Sequence, residues 1–158
     1  MNLRPATDAD APAVARIWHL GWRDGHLGHV PDELLAARTP ESFCERAAQR
    51  TGDTTVADVD GAVAGFVMVV DDEVEQVYVS ADHRGSGIAG ALLAEAERQV
   101  RAGGHRQAWL AVVAGNARAR RFYERNGWVD EGGFDYEAAT AGGTIRVPCR
   151  RYTKPVGQ

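Results

Sequence analysis

The sequence predicts a mixed fold of strands and helices, α/β or α+β, and three observations carry that expectation. Apolar residues switch between two-residue alternation, as in Glu73-Val74-Glu75-Gln76-Val77-Tyr78-Val79, and helical spacing, as in Leu92, Leu93, Ala96 and Val100. A glycine-rich turn, Arg84-Gly85-Ser86-Gly87-Ile88-Ala89, joins those two segments. The 158 residues, 44% of them hydrophobic, can bury one core and are expected to form a single domain over 1–158.

Leu3-Arg4-Pro5 reads as a short strand. Asp10-Ala11-Pro12 then opens a helix, with aspartate as cap and proline in the first turn, and Val14, Ile17 and Trp18 follow at helical spacing. Three glycines and Pro31 between 21 and 31 predict a loop. Helix resumes at Asp32-Glu33-Leu34-Leu35 and again after Thr39-Pro40, through Phe43 and Ala47. Strands are expected over 54–58 and 62–70, because the intervening Asp60-Gly61 is a hairpin signal, and then over 73–79. A helix over 87–102 ends at Gly103-Gly104, a strand spans 107–113, and a helix over 117–125 stops at Asn126-Gly127. Two final strands are expected near 134–137 and 145–152, joined by Ala141-Gly142-Gly143.

The glycine turn is chemically the most informative segment. The first amides of a helix lack intrahelical partners, the helix dipole adds positive potential, and glycines let phosphates approach the backbone. Residues 85–90 also fit the dinucleotide pattern G-x-G-x-x-G, which would imply an oxidoreductase. The next strand, however, runs into Ala114-Gly115-Asn116 without the ribose-binding acid of that fingerprint. No Gly-Lys-Ser or Gly-Lys-Thr follows the glycines, so a P-loop is unsupported as well.

The run Val79-Ser80-Ala81-Asp82-His83-Arg84-Gly85-Ser86-Gly87-Ile88-Ala89 resembles the acetyl-coenzyme A signature of the GNAT superfamily of N-acetyltransferases, Gln/Arg-x-x-Gly-x-Gly/Ala, through Arg84, Gly87 and Ala89. A second block, from Gly115-Asn116 through Arg121-Phe122-Tyr123 to Gly127-Trp128, extends the resemblance, which runs from about Asn2 to Lys154. The family fold it implies is a mixed, mostly antiparallel twisted sheet of about seven strands flanked by about four helices.

The resemblance further implies acetyl-CoA as co-substrate and no metal. Arg84 and the amides of Gly85, Ser86, Gly87, Ile88 and Ala89 would hold the pyrophosphate. Val77, Tyr78 and Val79 would pair with the pantetheine like an added strand, with the Val79 amide stabilising the oxyanion. Asn116 would contact the cofactor. Arg120, within the basic run Arg118, Arg120, Arg121 and Arg125, would approach the 3′-phosphate; such a run also reads as a solvated face. Tyr123 would protonate the departing thiolate, against the alternative of a buried tyrosine bonded to a backbone carbonyl. Glu73, the commoner family position, or Glu75 would deprotonate the amine; both equally suit an exposed charged face. Trp18, Trp22, Asp24, His26 and Val30 would line the acceptor pocket, with Trp18 equally suited to the core. If Asp24, Asp71, Asp72, Glu73 and Glu75 shared a cleft, they would favour a cationic acceptor.

The expected activity is therefore transfer of an acetyl group to a primary amine by direct attack. Small amines, amino-acid derivatives, antibiotics and protein N-termini all remain open as acceptors. The alternatives are a non-catalytic acyl-CoA sensor, which would need neither Tyr123 nor the strand acids, and the dinucleotide oxidoreductase. A net charge of −4 and a pI near 5.7 give no support to nucleic-acid or anionic-membrane partners. Apolar stretches are of strand length, so a cytoplasmic protein is expected. Cys44 and Cys149 lie outside both motifs and read as reduced, buried thiols, so a cysteine acyl-enzyme is unsupported. His26 and His29 lack further ligands for a metal. Homodimers are common in the family, although no heptad or exposed apolar stripe marks an interface here.

Overall fold

The computed structural model describes residues 1–157. Its strands are β1 (Asn2–Pro5), β2 (Thr54–Val59), β3 (Ala62–Val70), β4 (Glu73–Val79), β5 (Gln107–Val113), β6 (Val129–Thr140) and β7 (Gly143–Pro155). They form one sheet in the order β1-β2-β3-β4-β5-β7-β6, antiparallel throughout except for β4 beside β5. Five α-helices flank it: α1 (Ala11–His26), α2 (Asp32–Ala37), α3 (Pro40–Gln49), α4 (Ile88–Ala102) and α5 (Ala117–Arg125). No helix among the described residues is long and apolar enough to cross a membrane.

Strand alternation divides the core into two clusters, one on each face of the sheet. Val56, Phe66 and Met68 face α1 and α3, where the fully buried Trp18 lies edge-on to Phe43 at 5.5 Å and to Phe66 at 5.8 Å. Ala57, Val67 and Val74 face Leu92, Leu93, Ala96 and Val100 of α4. Truncating Phe43 to alanine would cost about 3–5 kcal/mol, the usual range for a buried aromatic.

Three expectations change. Residues 21–26 are not loop, because α1 continues to His26 and Gly21 and Gly25 are packing glycines, four apart on one helix face. A Cβ at position 21 would overlap the Tyr78 ring, and one at 25 would lie 2.6 Å from Asn116 Nδ2. Gly28, at φ 84°, makes the turn that ends this segment. The last two strands are longer than expected, pairing from Val129↔Thr153 to Thr140↔Gly143 around a bulge at 131–132. Pro148 is tolerated because β5 ends opposite Cys149, so no partner on that side needs its missing N–H. Finally, Cys149 is buried but Cys44 is exposed on α3.

Candidate active site

The site is organised by a parting of β4 from β5. β4 is paired with β3 along its length, but it meets β5 only at Glu73↔Trp109, next to the bond from Trp109 N to Asp72 O. Beyond that point one edge of β4 is unpaired. Ser80 N donates to Ala64 O, on the β3 side. By strand alternation the amides of Val79 and Val77 point the other way, into the gap.

Past Val79 the chain forms a short 3-10 turn, Ala81–His83, fastened by Ser80 Oγ and His83 Nδ1 at 2.8 Å and by a bond from the Ser86 hydroxyl to His83 O. Gly85 and Gly87, at φ 78° and 83°, allow residues 84–87 to curl into the first turn of α4. The amides of residues 85–89 donate to no protein acceptor among the described residues. Arg84 reaches across to Asp24 on α1 at 2.8 Å, an exposed ion pair.

On the far side of the gap, Asn116 caps α5 by accepting from Ala119 N at 3.2 Å, while its Nδ2 lies against Gly25. About two turns on, the Tyr123 ring packs near Trp128 and Tyr152 with centroids about 6 Å away. Its hydroxyl has no hydrogen-bond partner among the described residues, unlike the bonded alternative, and burial pushes its pKa up to about 12. Arg120 is committed elsewhere. Its Nε, Nη1 and Nη2 donate to Tyr152 Oη, Ala114 O and Asp130 Oδ2 at 2.9 to 3.2 Å, and so brace α5 against β6 and β7. Arg118, Arg121 and Arg125 are exposed.

A cavity of about 430 Å³ opens beneath this gap. Of the expected site residues, Trp22, His26, Glu73, Glu75, Val77, Tyr78, Asn116 and Tyr123 line it. Trp18 does not, being fully buried in the core. Asp24 is exposed beside Arg84, and Val30 packs against the core cluster instead. Trp22 and His26 stack at 4.6 Å, and burial lowers His26 to about 4, so the imidazole is neutral at physiological pH. Glu73 Oε2 accepts from Tyr136 Oη at 2.6 Å, and burial raises its carboxyl above the usual range. Glu75 is paired with Arg50 at 3.0 Å.

Arg38, Arg46, Arg50, Tyr136 and Cys149 also line the cavity and were missed by sequence reasoning. A signal for two of them was present. Phe43, Arg46, Ala47 and Arg50 follow i, i+3, i+4, i+7 spacing, which sets two arginines on an otherwise apolar helix stripe. Burial lifts the Cys149 thiol to about 11, leaving it protonated and a poor nucleophile at neutral pH. Asp71 and Asp72 do not line the cavity, so the five acids do not share a cleft; Asp72 instead accepts from Trp109 Nε1 at 3.1 Å.

The acetyltransferase (GNAT) family model matches residues 13–128. An uncharacterized N-acetyltransferase of Mycobacterium tuberculosis is 31% identical over 130 residues, which span 77% of this chain and 83% of the relative. The paia N-acetyltransferase of Thermoplasma acidophilum, solved in complex with coenzyme A, superposes with a TM-score of 0.75 at 18% identity and covers 98% of each chain. A protein of Salmonella typhimurium solved with its cofactor acetyl-CoA gives a TM-score of 0.70 at 19% identity, over 100% of this chain and 95% of that one.

Proposed function

Because this chain belongs to the acetyltransferase (GNAT) family and is an acyltransferase, we propose that it moves an acetyl group from acetyl-CoA to a primary amine by direct attack within a ternary complex. One observation carries the reading. The unpaired β4 edge, with the Val77 and Val79 amides free, runs between a loop of free amides at one end and the Glu73, Glu75 and Tyr123 side chains of the cavity.

The residues fit such a co-substrate. Amides at 85–89 and the Arg84 guanidinium suit a pyrophosphate, and the exposed pair with Asp24 is weak enough to be exchanged for a phosphate. The β4 edge suits a ligand with amide groups, which would add to the sheet as a strand does. Asn116 Nδ2 is free to donate, whereas Arg120 supports the scaffold and only its outer face is available to a phosphate. The structures of two fold neighbours hold coenzyme A or acetyl-CoA, in keeping with this assignment.

Acetyl-CoA supplies the activated acyl group. In this scheme Glu73, raised by burial, accepts the proton of the incoming ammonium directly or through water, and it is the better candidate because Arg50 occupies Glu75. The Val79 amide donates to the carbonyl oxygen as negative charge develops there. Tyr123, protonated at neutral pH and without another partner, donates its proton to the departing sulfur.

Calorimetric titration with acetyl-CoA, using NAD as comparison, tests the cofactor. The expected result is one-to-one binding of acetyl-CoA and none of NAD, and binding of NAD alone overturns the reading. Thiol release across a panel of amines then tests transfer, since binding without release from any amine would favour an acyl-CoA sensor.

A further inference from the structure

Arg38, Arg46 and Arg50 all line the cavity, with Arg46 over the Trp18 ring on the α1–α3 side of the sheet and near enough to Arg38 and Arg50 to feel their charge. Arg38 Nε, Arg46 Nη1 and Arg50 Nη2 are all buried, and none has a hydrogen-bond partner among the described residues. Arg50 has carboxylates at 3.0 Å, Asp53 and Glu75. Arg38 and Arg46 have none within ion-pair reach among the described residues, and the Arg46 guanidinium is held 4.2 Å above the Trp18 ring.

Among the described residues no carboxylate of the cavity contacts Arg38 or Arg46, although the Glu75 charge acts on Arg46 from further off. Glu73 is bonded to Tyr136 and Glu75 to Arg50, while Glu137 turns to Thr144 and to Arg146 at its exposed edge. His26 is neutral. Burial and the neighbouring charges of Arg38 and Arg50 lower Arg46 to about 10, which leaves it cationic at neutral pH. Buried guanidiniums without counter-ions are costly, and setting three together adds repulsion. No residue of the 84–89 loop lines the cavity, so a pyrophosphate held there lies outside this cluster.

We propose that the acceptor is a small amine bearing an oxyanionic group, a carboxylate or phosphonate, which Arg38 and Arg46 bind while the amine faces Glu73 and Glu75. Guanidinium forks match the paired oxygens of such groups. A cavity of about 430 Å³ that also borders Val77 and Tyr123 leaves room for an acceptor of amino-acid size. The inference reverses the cationic acceptor that the acidic residues had suggested, and it rests on the acetyltransferase reading above.

The test measures thiol release from acetyl-CoA with the standard amino acids and 2-aminoethylphosphonate, each beside a neutral twin, the amino-acid amide or propylamine. The expected result is a preference for at least one anionic member over its twin. Arg38→Gln and Arg46→Gln should each raise KM for that member on the order of 100-fold and leave the twin and acetyl-CoA affinity nearly unchanged. Arg46→Lys, which keeps the charge beside Trp18, should recover part of the loss. Equal or better turnover of every neutral twin, or a preference that survives both glutamine variants, overturns the proposal and leaves the transferase reading standing. Absence of release from any amine sinks the transferase reading instead, and calorimetry with the acids alone then decides the pocket. An acid bound by the wild type but not by Arg46→Gln supports it, and no acid bound overturns it.

Discussion

The Tyr136 hydroxyl donates to Glu73 Oε2 at 2.6 Å and so ties the β6–β7 hairpin to the first residue of β4. Burial raises the Glu73 carboxyl, and the Tyr136 bond opposes that rise. Tyr136→Phe should therefore move the ascending limb of the kcat/KM profile to higher pH. Glu73→Gln should lower kcat by about 10²–10⁴-fold, the range for a lost general base. Glu75→Gln should keep an ascending limb but move it to lower pH, because the Glu75 charge helps to hold the Glu73 carboxyl up. An ascending limb that survives Glu73→Gln and vanishes in Glu75→Gln would transfer the role of base to Glu75.

Tyr123 has a hydroxyl without a partner and a pKa near 12, a combination that keeps its proton available at neutral pH. Tyr123→Phe should reduce kcat on the order of 100-fold with acetyl-CoA affinity within about twofold of wild type. Stability should hardly change, since no protein hydrogen bond is lost. Unchanged kcat would mean that the thiolate departs without Tyr123.

Much of this arrangement is legible in the sequence. The strand over 107–113 and the helix over 117–125 match the structure because apolar period and terminal signals agree there. Glu73, Glu75, Tyr78, Asn116 and Tyr123 all reach the cavity. What failed did so for a common reason, that tertiary contact overrode local preference. Gly21 and Gly25 break helices in isolation, but in α1 they admit the Tyr78 ring and the Asn116 amide. Arg46 lies over Trp18 and opens on the cavity, a placement that depends on which face α3 buries.

The same contacts predict opposite outcomes for two glycine-to-alanine changes. Gly90 lies in α4, and a Cβ there meets no atom within 4 Å, so Gly90→Ala should stabilise by about 0.5–1 kcal/mol through helix propensity. Gly21 is also helical, but its Cβ would overlap the Tyr78 ring, and Gly21→Ala should destabilise by about 1–3 kcal/mol. Thermal denaturation of the two variants reads the difference directly. Stabilisation by Gly21→Ala would show that Tyr78 can shift freely, and with it the wall of the cavity.

Acid sensitivity should fall in two windows set by different residues. His26 is lowered from its ordinary 6.5 to about 4, so between those values the unfolded chain binds a proton that the folded protein does not. Stability is therefore lost as pH falls from about 6.5 to 4. Asp10, held by Arg4 at 2.8 and 3.0 Å and by Thr7 N at 2.8 Å, is lowered from 3.8 to about 2. Its contribution, on the order of 1–2 kcal/mol, is complete above 3.8 and disappears toward pH 2. Urea unfolding across pH should show both slopes in the wild type. His26→Gln should flatten only the upper one, and Asp10→Asn only the lower one, with Asp10→Asn also lowering stability at pH 7 by about 1–2 kcal/mol. An upper slope that persists in His26→Gln would place the proton uptake on another group and remove the neutral imidazole from the account of the cavity's charge.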